Sequence, residues 1–405
     1  MSIGSRVGGN LAERAALVRS PAGFLAGEAT GALGDLGTFI PAVVALVQVV
    51  GMDPAAILVF AGLMNVCSGL AFGIPIAVQP MKAIAALAIA GTLSAGQMAG
   101  AGLAVGLAVL LLSGFGLVGW VQRVVPKAVV GALQLTVGFR LALAAVRMML
   151  FESGAGRLHP ATGPNGLVVA GVAFILMIVL FRRTQWLGLA LTGLGLGLAC
   201  LARPSLLATP QVEMWQPNWS LDASAAVSGV WKGGLAQLPL TLLNSVLAVS
   251  ALAATLFPQR SECARPRKVA VSVGLMNLIA CPFGGMPMCH GSGGLAGQHR
   301  FGARSGLSMV MLGTGKLLVG LLLGGAALAW MQAFPRPVLG VFLLLAGVEL
   351  GRASGCTTNW RIPVAAAAMT ALYYAGGGLA LGFVAGWGLY ALLPAEAQPP
   401  EGAKE

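Results

Sequence analysis

What most constrains this chain is a succession of apolar runs, each about as long as a membrane is thick, separated by short turns rich in Gly, Pro and basic residues. A helix needs about 20 predominantly apolar residues to cross the hydrocarbon core. Runs of that kind lie near 30–50, 54–73, 76–94, 97–121, 126–149, 165–181 and 185–202. After a more polar stretch from Arg203 to about Ala225 they resume near 228–256, 268–284, 289–299, 306–331, 335–351, 362–376 and 378–393. Only 9% of the 405 residues are charged, against about 25% in soluble domains. Lipid is therefore the main solvent, and the fold expected is an all-α polytopic membrane protein of about 14 spans, with twelve as the alternative because the last two runs are short.

Charge placement gives an independent reading of the topology, because Lys and Arg accumulate in cytoplasmic loops. With both termini cytoplasmic, 16 of the 24 basic residues fall on that side. Arg147, Arg157, Arg203, Lys232 and Arg336 fall outside, while Lys82, Arg140 and Lys316 sit within spans. A missed span would scramble this asymmetry, so an even span count with both termini cytoplasmic is expected, in a multi-pass protein of the cell inner membrane. The net charge of +12 is dispersed between apolar segments and forms no clustered basic face, so nucleic acid is not a partner. The first 20 residues carry Arg6, Glu13, Arg14 and Arg19 without an apolar core and do not read as a signal peptide. Six cysteines without paired spacing and three histidines without carboxylate spacing predict no metal and no cofactor. No enzyme signature is present: HGSGG leads into no recognisable catalytic triad.

The two halves resemble each other. Met64-Asn65 before Gly73-Ile74-Pro75 recurs as Met276-Asn277 before Gly285-Met286-Pro287, an offset of 212. Pro126, Gly131 and Gly138 recur as Pro335, Gly340 and Gly347, an offset of 209. Seven spans is an odd number, so the second copy enters the membrane from the opposite side, which makes a 7+7 inverted repeat of the kind that builds secondary transporters. The expected organisation is a first repeat over 1–202, an external connection over 203–227, a second repeat over 228–393 and a cytoplasmic polar tail over 394–405.

In such folds substrate lies near the midplane, where broken helices expose half-helix ends to a cavity. Two repeat-related breaks are legible. In GIPIAVQPMKAIA, Pro75 ends one helix, Ile76–Val78 read as extended, and Pro80 suits the first turn of the next, placing Gln79 at its start. In FGGMPMCHGSGGLAG, Gly284, Gly285 and Pro287 break the chain and His290, Gly291, Ser292, Gly293 and Gly294 open a short helix. Two helix starts aimed at one point offer partial positive charge and free N–H donors, which suit an oxyanion.

Several intramembrane polar residues need a reason to be there. Lys82, three residues after Gln79, would bind the anion, or snorkel, or pair with Asp35 or Glu28. His290 would contact the anion or titrate during transport, or serve as a hydrogen-bonded structural residue. Asp35 would carry protons, or partner Lys82 or freed backbone N–H groups. Gln237, Thr241 and Asn244 share one helix face and would line the cavity or bond neighbouring helices. Arg140 and Glu349, repeat equivalents at offset 209, read as structural or interfacial.

The segments GDLGTFIP, VQPMKAIA, QLPLTLLNSV and GLMNL…FGGMPMCHGSGGLAGQHRFGARSG resemble the molybdate transporter family related to the sulfate permeases, and the resemblance spans almost the whole chain. It implies the sulfate permease and uracil transporter architecture, with a core domain and a gate domain, and substrate held between spans 3 and 10. No STAS domain is expected after the last span. The residues matching the half-helix motifs are Gln79, Lys82, His290, Gly291, Ser292 and Gly293; Asp35 and Thr38 match the first span, and Gln237, Thr241 and Asn244 the eighth. The function implied is uptake of molybdate by elevator-like movement, with proton symport through Asp35 or His290 as one option. Sulfate or another oxyanion remains an alternative cargo, and an anion channel an alternative mode. Dimerisation through the gate domain is likewise implied by the resemblance.

Overall fold

A computed structural model describes residues 21–152, 156–181, 184–207, 212 and 214–394 of the chain. Arg6, Glu13, Arg14, Arg19, Arg182, Arg183 and the tail after Pro394 lie outside the described residues. The protein is mostly helical. Among the described residues five helices are long and apolar enough to cross a membrane: Ala22–Val50, Pro54–Phe72, Ala95–Gly114, Lys127–Leu150 and Ala223–Leu256. A sixth arises if Gly324–Ala333 and Arg336–Ala353, bent by 88°, count as one span. Leu167–Leu180, Leu307–Leu322 and Gly378–Leu392 are shorter apolar helices.

Element boundaries follow local chemistry. Pro54 occupies the first turn of its helix and Asp53 caps it, its carboxylate accepting from Ala55 N at 2.9 Å and Ala56 N at 3.3 Å, a start signal worth about 1 kcal/mol. Pro126 and Pro335 take the same extended conformation at the starts of Lys127–Leu150 and Arg336–Ala353, in line with their repeat correspondence. The first helix begins at Pro21, nine residues before the expected run, and so takes Glu28 inside it. The expected single run over 306–331 is instead two helices, Leu307–Leu322 and Gly324–Ala333, with Leu323 at φ −129° between them. Gly324 and Gly325, poor helix formers, follow directly.

Helices pack in pairs that exchange the repeat correspondences: Pro54–Phe72 against Leu307–Leu322, and Ala95–Gly114 against Pro266–Ala280. Lys127–Leu150 packs on its own equivalent, Arg336–Ala353. These contacts need small residues, because lipid tails are as apolar as side chains and association depends on close backbone approach. Gly138 and Gly347 face one another so closely that a Cβ on either would sit 2.7 Å from the other's carbonyl oxygen. Gly62 and Gly313 meet in the same way.

Where the expected breaks fall, the chain leaves the helix in a left-handed glycine, Gly73 at φ 65° and Gly284 at φ 80°, a conformation that favours glycine. Two three-residue strands follow, β1 (Val78–Pro80) and β2 (Met288–His290), paired antiparallel with Gln79 opposite Cys289 at the centre. Their backbone groups must be satisfied inside the protein. Asn65 Oδ1 accepts from Val78 N at 3.0 Å, and Asn277 Oδ1 accepts from Met288 N at 2.8 Å. The asparagines of the two Met-Asn pairs that revealed the repeat thus anchor its strands.

Candidate functional site

Each strand turns directly into a short helix, Lys82–Ile89 after β1 and Ser292–Arg300 after β2. The strands are antiparallel, so the helices leave in opposite directions and their N-termini flank the strand pair. The first helix starts at Lys82, later than Pro80 suggests, because Met81 N extends the pairing by donating to Pro287 O at 2.9 Å. His290 likewise belongs to β2, and Ser292 opens the second helix. Neither N-cap, Met81 or Gly291, supplies a capping side chain.

The two helix starts differ in what meets their free N–H groups. Gln237 Oε1 accepts from Ala83 N at 3.0 Å and from Ile84 N at 3.3 Å, while Gln237 Nε2 donates to Thr241 Oγ1 at 2.9 Å. Gln237 and Thr241 are buried and act together as a cap, not as open donors lining a cavity. The second helix start keeps open space over Gly293, with Gly293 exposed and Ser292 half-buried. A Cβ on Gly291 would collide with Gln79 Oε1, so any side chain there must displace the Gln79 amide. Asn244, in the wide π turn Thr241–Leu247, is half-buried. The side chain of Thr38 lies outside the described residues.

Lys82 is exposed and pairs with neither Asp35 nor Glu28. Glu349 on Arg336–Ala353 lies within electrostatic reach of it, which ties a residue read as interfacial to the strand crossing. Its repeat equivalent Arg140 instead stacks its guanidinium 3.4 Å from the centroid of the Tyr373 ring. Asp35 is fully buried: Gln79 Nε2 donates to its Oδ1 at 2.5 Å, and Lys316 Nζ lies 3.9 Å from its Oδ2. Lys316 also sits 3.4 Å from the centroid of Phe39 and borders an apolar cavity of about 830 Å³ with Leu36, Trp330 and Met331. Glu28 caps Leu307–Leu322 from the first helix, accepting from Arg304 N at 2.8 Å, Ser305 N at 2.9 Å and Ser308 N at 3.0 Å.

His290 is fully buried, and both ring nitrogens have protein partners: Nδ1 meets Ala77 O at 3.2 Å and Nε2 meets Ser272 Oγ at 2.9 Å. A carbonyl only accepts, so Nδ1 carries the proton and Nε2 accepts from the serine hydroxyl. The ring therefore ties β2 to the turn before β1 and leaves no nitrogen for an anion. Sequence reasoning placed Lys316 within a span without a role, and did not find Ser272 or the capping roles of Glu28 and Gln237. A charge or amide inside an apolar run was the available signal.

The model of the family described as "Molybdate transporter of MFS superfamily" matches residues 27–141 and 229–350. Molybdate transporter 2 of Arabidopsis thaliana is 36% identical over 416 residues, covering 91% of this chain and 87% of that protein. Molybdate transporter 1 of Chlamydomonas reinhardtii is 34% identical, covering 80% and 82%. Among solved structures, the transmembrane domain of the cyanobacterial bicarbonate transporter BicA superposes with a TM-score of 0.61 at 17% identity, over 91% of this chain and 97% of that one. The anion transporter SLC26A9 gives 0.63 at 11% identity, over 90% and 64%. At such identities these two structures speak for the fold, which is of the sulfate permease and SLC26 kind. With family model, long-range identity and fold in agreement, the chain belongs to the molybdate transporter family, a family of multi-pass membrane transporters and not of enzymes.

Proposed function

We propose that this protein is a secondary transporter that takes up molybdate across the cell inner membrane, binding it between the Lys82 and Ser292 half-helices. The reading is carried by one observation: the pairing of β1 with β2 sets two helix N-termini on either side of a single crossing, with Lys82 exposed beside it. Partial positive charge at both helix starts, free N–H groups at the second and one ammonium at the first suit a small dianion. Fourteen spans in a 7+7 inverted repeat with both termini cytoplasmic accommodate the packing pairs, counting the two strand–helix segments and the short apolar helices as spans. The group containing the strands would move against the paired Lys127–Leu150 and Arg336–Ala353 helices.

Within this reading Ser292, Gly293 and Lys82 contact the anion, while Gln79 and His290 hold the strands in place. Asp35 is the candidate coupling carboxylate, because it is a buried carboxylate that joins β1, through Gln79, to the Lys316 ammonium. Uptake of labelled molybdate into cells lacking other molybdate systems tests the assignment. Expression should restore accumulation and Lys82→Ala should abolish most of it; equal accumulation with and without the protein, or with and without Lys82, would overturn it. Sulfate at equal concentration in the same assay separates the two dianions, since inhibition as strong as that by unlabelled molybdate would move the assignment to a general oxyanion carrier.

A further inference from the structure

The two half-helices share a backbone plan, yet only the first has its leading donors covered. There a single side-chain oxygen, Gln237 Oε1, accepts from two successive helix N–H groups, Ala83 at 3.0 Å and Ile84 at 3.3 Å. A carboxamide oxygen has two lone pairs, so this acceptor is saturated. One oxygen set against adjacent N–H groups is also how a tetrahedral oxyanion engages a helix start. The amide is oriented from behind by Thr241 Oγ1, which takes a proton of Nε2 at 2.9 Å.

Gln237 comes from a loosened stretch of the Ala223–Leu256 helix. The π turns Val230–Gly234 and Thr241–Leu247 flank it, and Pro239 lies inside the short α segment between them. Proline removes a backbone donor, and wide turns of this kind recur at functional positions where a helix must adjust. Lys82, the first residue of the capped helix, is exposed, whereas Gln237 is 2% exposed. An anion arriving beside Lys82 therefore meets Gln237 already seated on the next two donors.

We propose that Gln237 is a tethered substitute for the transported oxyanion, which holds the first half-helix closed while the site is empty and must leave Ala83 and Ile84 before the anion can engage both half-helices. A neutral amide is a weaker partner for a helix start than a dianion, because charge-assisted bonds are roughly twice as strong as neutral ones and the macrodipole adds to them. Exchange thus runs forward when substrate arrives and reverses when it departs. Gln237 sets affinity by competing with the anion, not by contacting it. This rests on the reading that molybdate sits between the half-helices.

The test is molybdate titration of the purified protein together with initial-rate uptake into proteoliposomes. Gln237→Ala bares the two donors and should lower both the Kd and the KM by about tenfold, the equivalent of one to two ordinary hydrogen bonds, with kcat reduced as release slows. Gln237→Glu keeps a permanent carboxylate on the helix start and should raise the KM at least tenfold. A Gln237→Ala protein with raised or unchanged KM overturns the inference. Should that variant fail to reach the membrane, Thr241→Val decides, since it removes only the anchor: a lowered KM supports competition, and an unchanged or raised one overturns it. Failure of the wild-type protein to bind molybdate, or wild-type uptake by Lys82→Ala, sinks the site itself and the inference with it. A raised KM in Gln237→Ala beside an inactive Lys82→Ala sinks the inference alone.

Discussion

Removing the two members of the Asp35–Lys316 pair one at a time should cost more in sum than removing both together. The side chains are 0% and 5% exposed and their charged atoms 3.9 Å apart. At an effective dielectric of about 20 the attraction at that distance is about 4 kcal/mol. Desolvation opposes it with several kcal/mol per ion, and among the described residues Lys316 Nζ has no hydrogen-bond partner to offset the loss. The Phe39 ring under the ammonium contributes about 0.5–2 kcal/mol. The pair is therefore close to neutral relative to an apolar replacement, while either charge alone stays buried without its ion-pair partner. Lys316→Met is expected to destabilise by roughly 3–5 kcal/mol. Asp35→Asn should cost less, because its remaining carbonyl can still accept from Gln79. The double variant Asp35→Asn/Lys316→Met should recover about 2–4 kcal/mol of the summed losses. Unfolding free energies of the four proteins in mixed micelles give the coupling directly. Additive single effects would refute the pairing, and so would a Lys316→Met protein as stable as wild type.

Three further outcomes follow from other contacts. Glu28→Ala strips three backbone N–H groups of their buried acceptor and should lower stability by about 3 kcal/mol or more, read from the same unfolding series. Gly291→Ala places a Cβ against Gln79 and should reduce molybdate uptake at least about tenfold through strain at the strand pair, whereas Gly293→Ala, with nothing within 4 Å, should leave unfolding free energy unchanged within about 0.5 kcal/mol. His290→Gln, if the ring only ties β2 to its neighbours, should lower stability yet leave the pH profile of uptake where the wild type has it; a displaced profile would make His290 a proton carrier.

Much of the backbone plan was legible because breaks in membrane helices have strong local causes. Pro75, Gly73, Gly284 and Pro287 interrupt apolar runs, and the structure places an extended strand after each interruption. Pro126 and Pro335 mark helix starts in the same manner. Side-chain partners were not legible, for a reason that is also physical. An intramembrane charge or amide announces that it needs a partner, but periodicity along one helix does not say which helix lies opposite. Asp35 and Lys316 are 281 positions apart, and Gln237 reaches donors 153 and 154 positions away. Spacing placed Gln237 and Thr241 on one face, as observed; it could not show that the face meets a helix end. The break at Leu323 was hidden because Leu, Gly and Ala around it remain apolar, and hydropathy does not register a change of direction.

The repeat is conserved where backbone has to be held and abandoned where charge has to act. Asn65 and Asn277 bond the strands alike, Gly73 and Gly284 make the same left-handed exit, and Gly138 touches Gly347 across the equivalent helices. At the first position of the half-helices, however, lysine stands in one copy and serine in the other, and Arg140 in one half corresponds to Glu349 in the second. A symmetric backbone with symmetric charges would give an anion two equal half-sites and no preferred order of engagement. With Lys82 and a removable amide at one helix start and bare Ser292–Gly293 donors at the other, the ammonium supplies long-range attraction on one side only. The anion's first contact is then set by Lys82, and closure onto the second helix depends on displacing Gln237. Exchanging the two residues, Lys82→Ser with Ser292→Lys, keeps net charge and backbone while reversing that order. If asymmetry matters, the swapped protein should bind molybdate yet transport it at least about tenfold more slowly, because attraction now acts at the helix with no amide to displace; transport at the wild-type rate would show that total charge at the crossing, not its placement, is what the site requires.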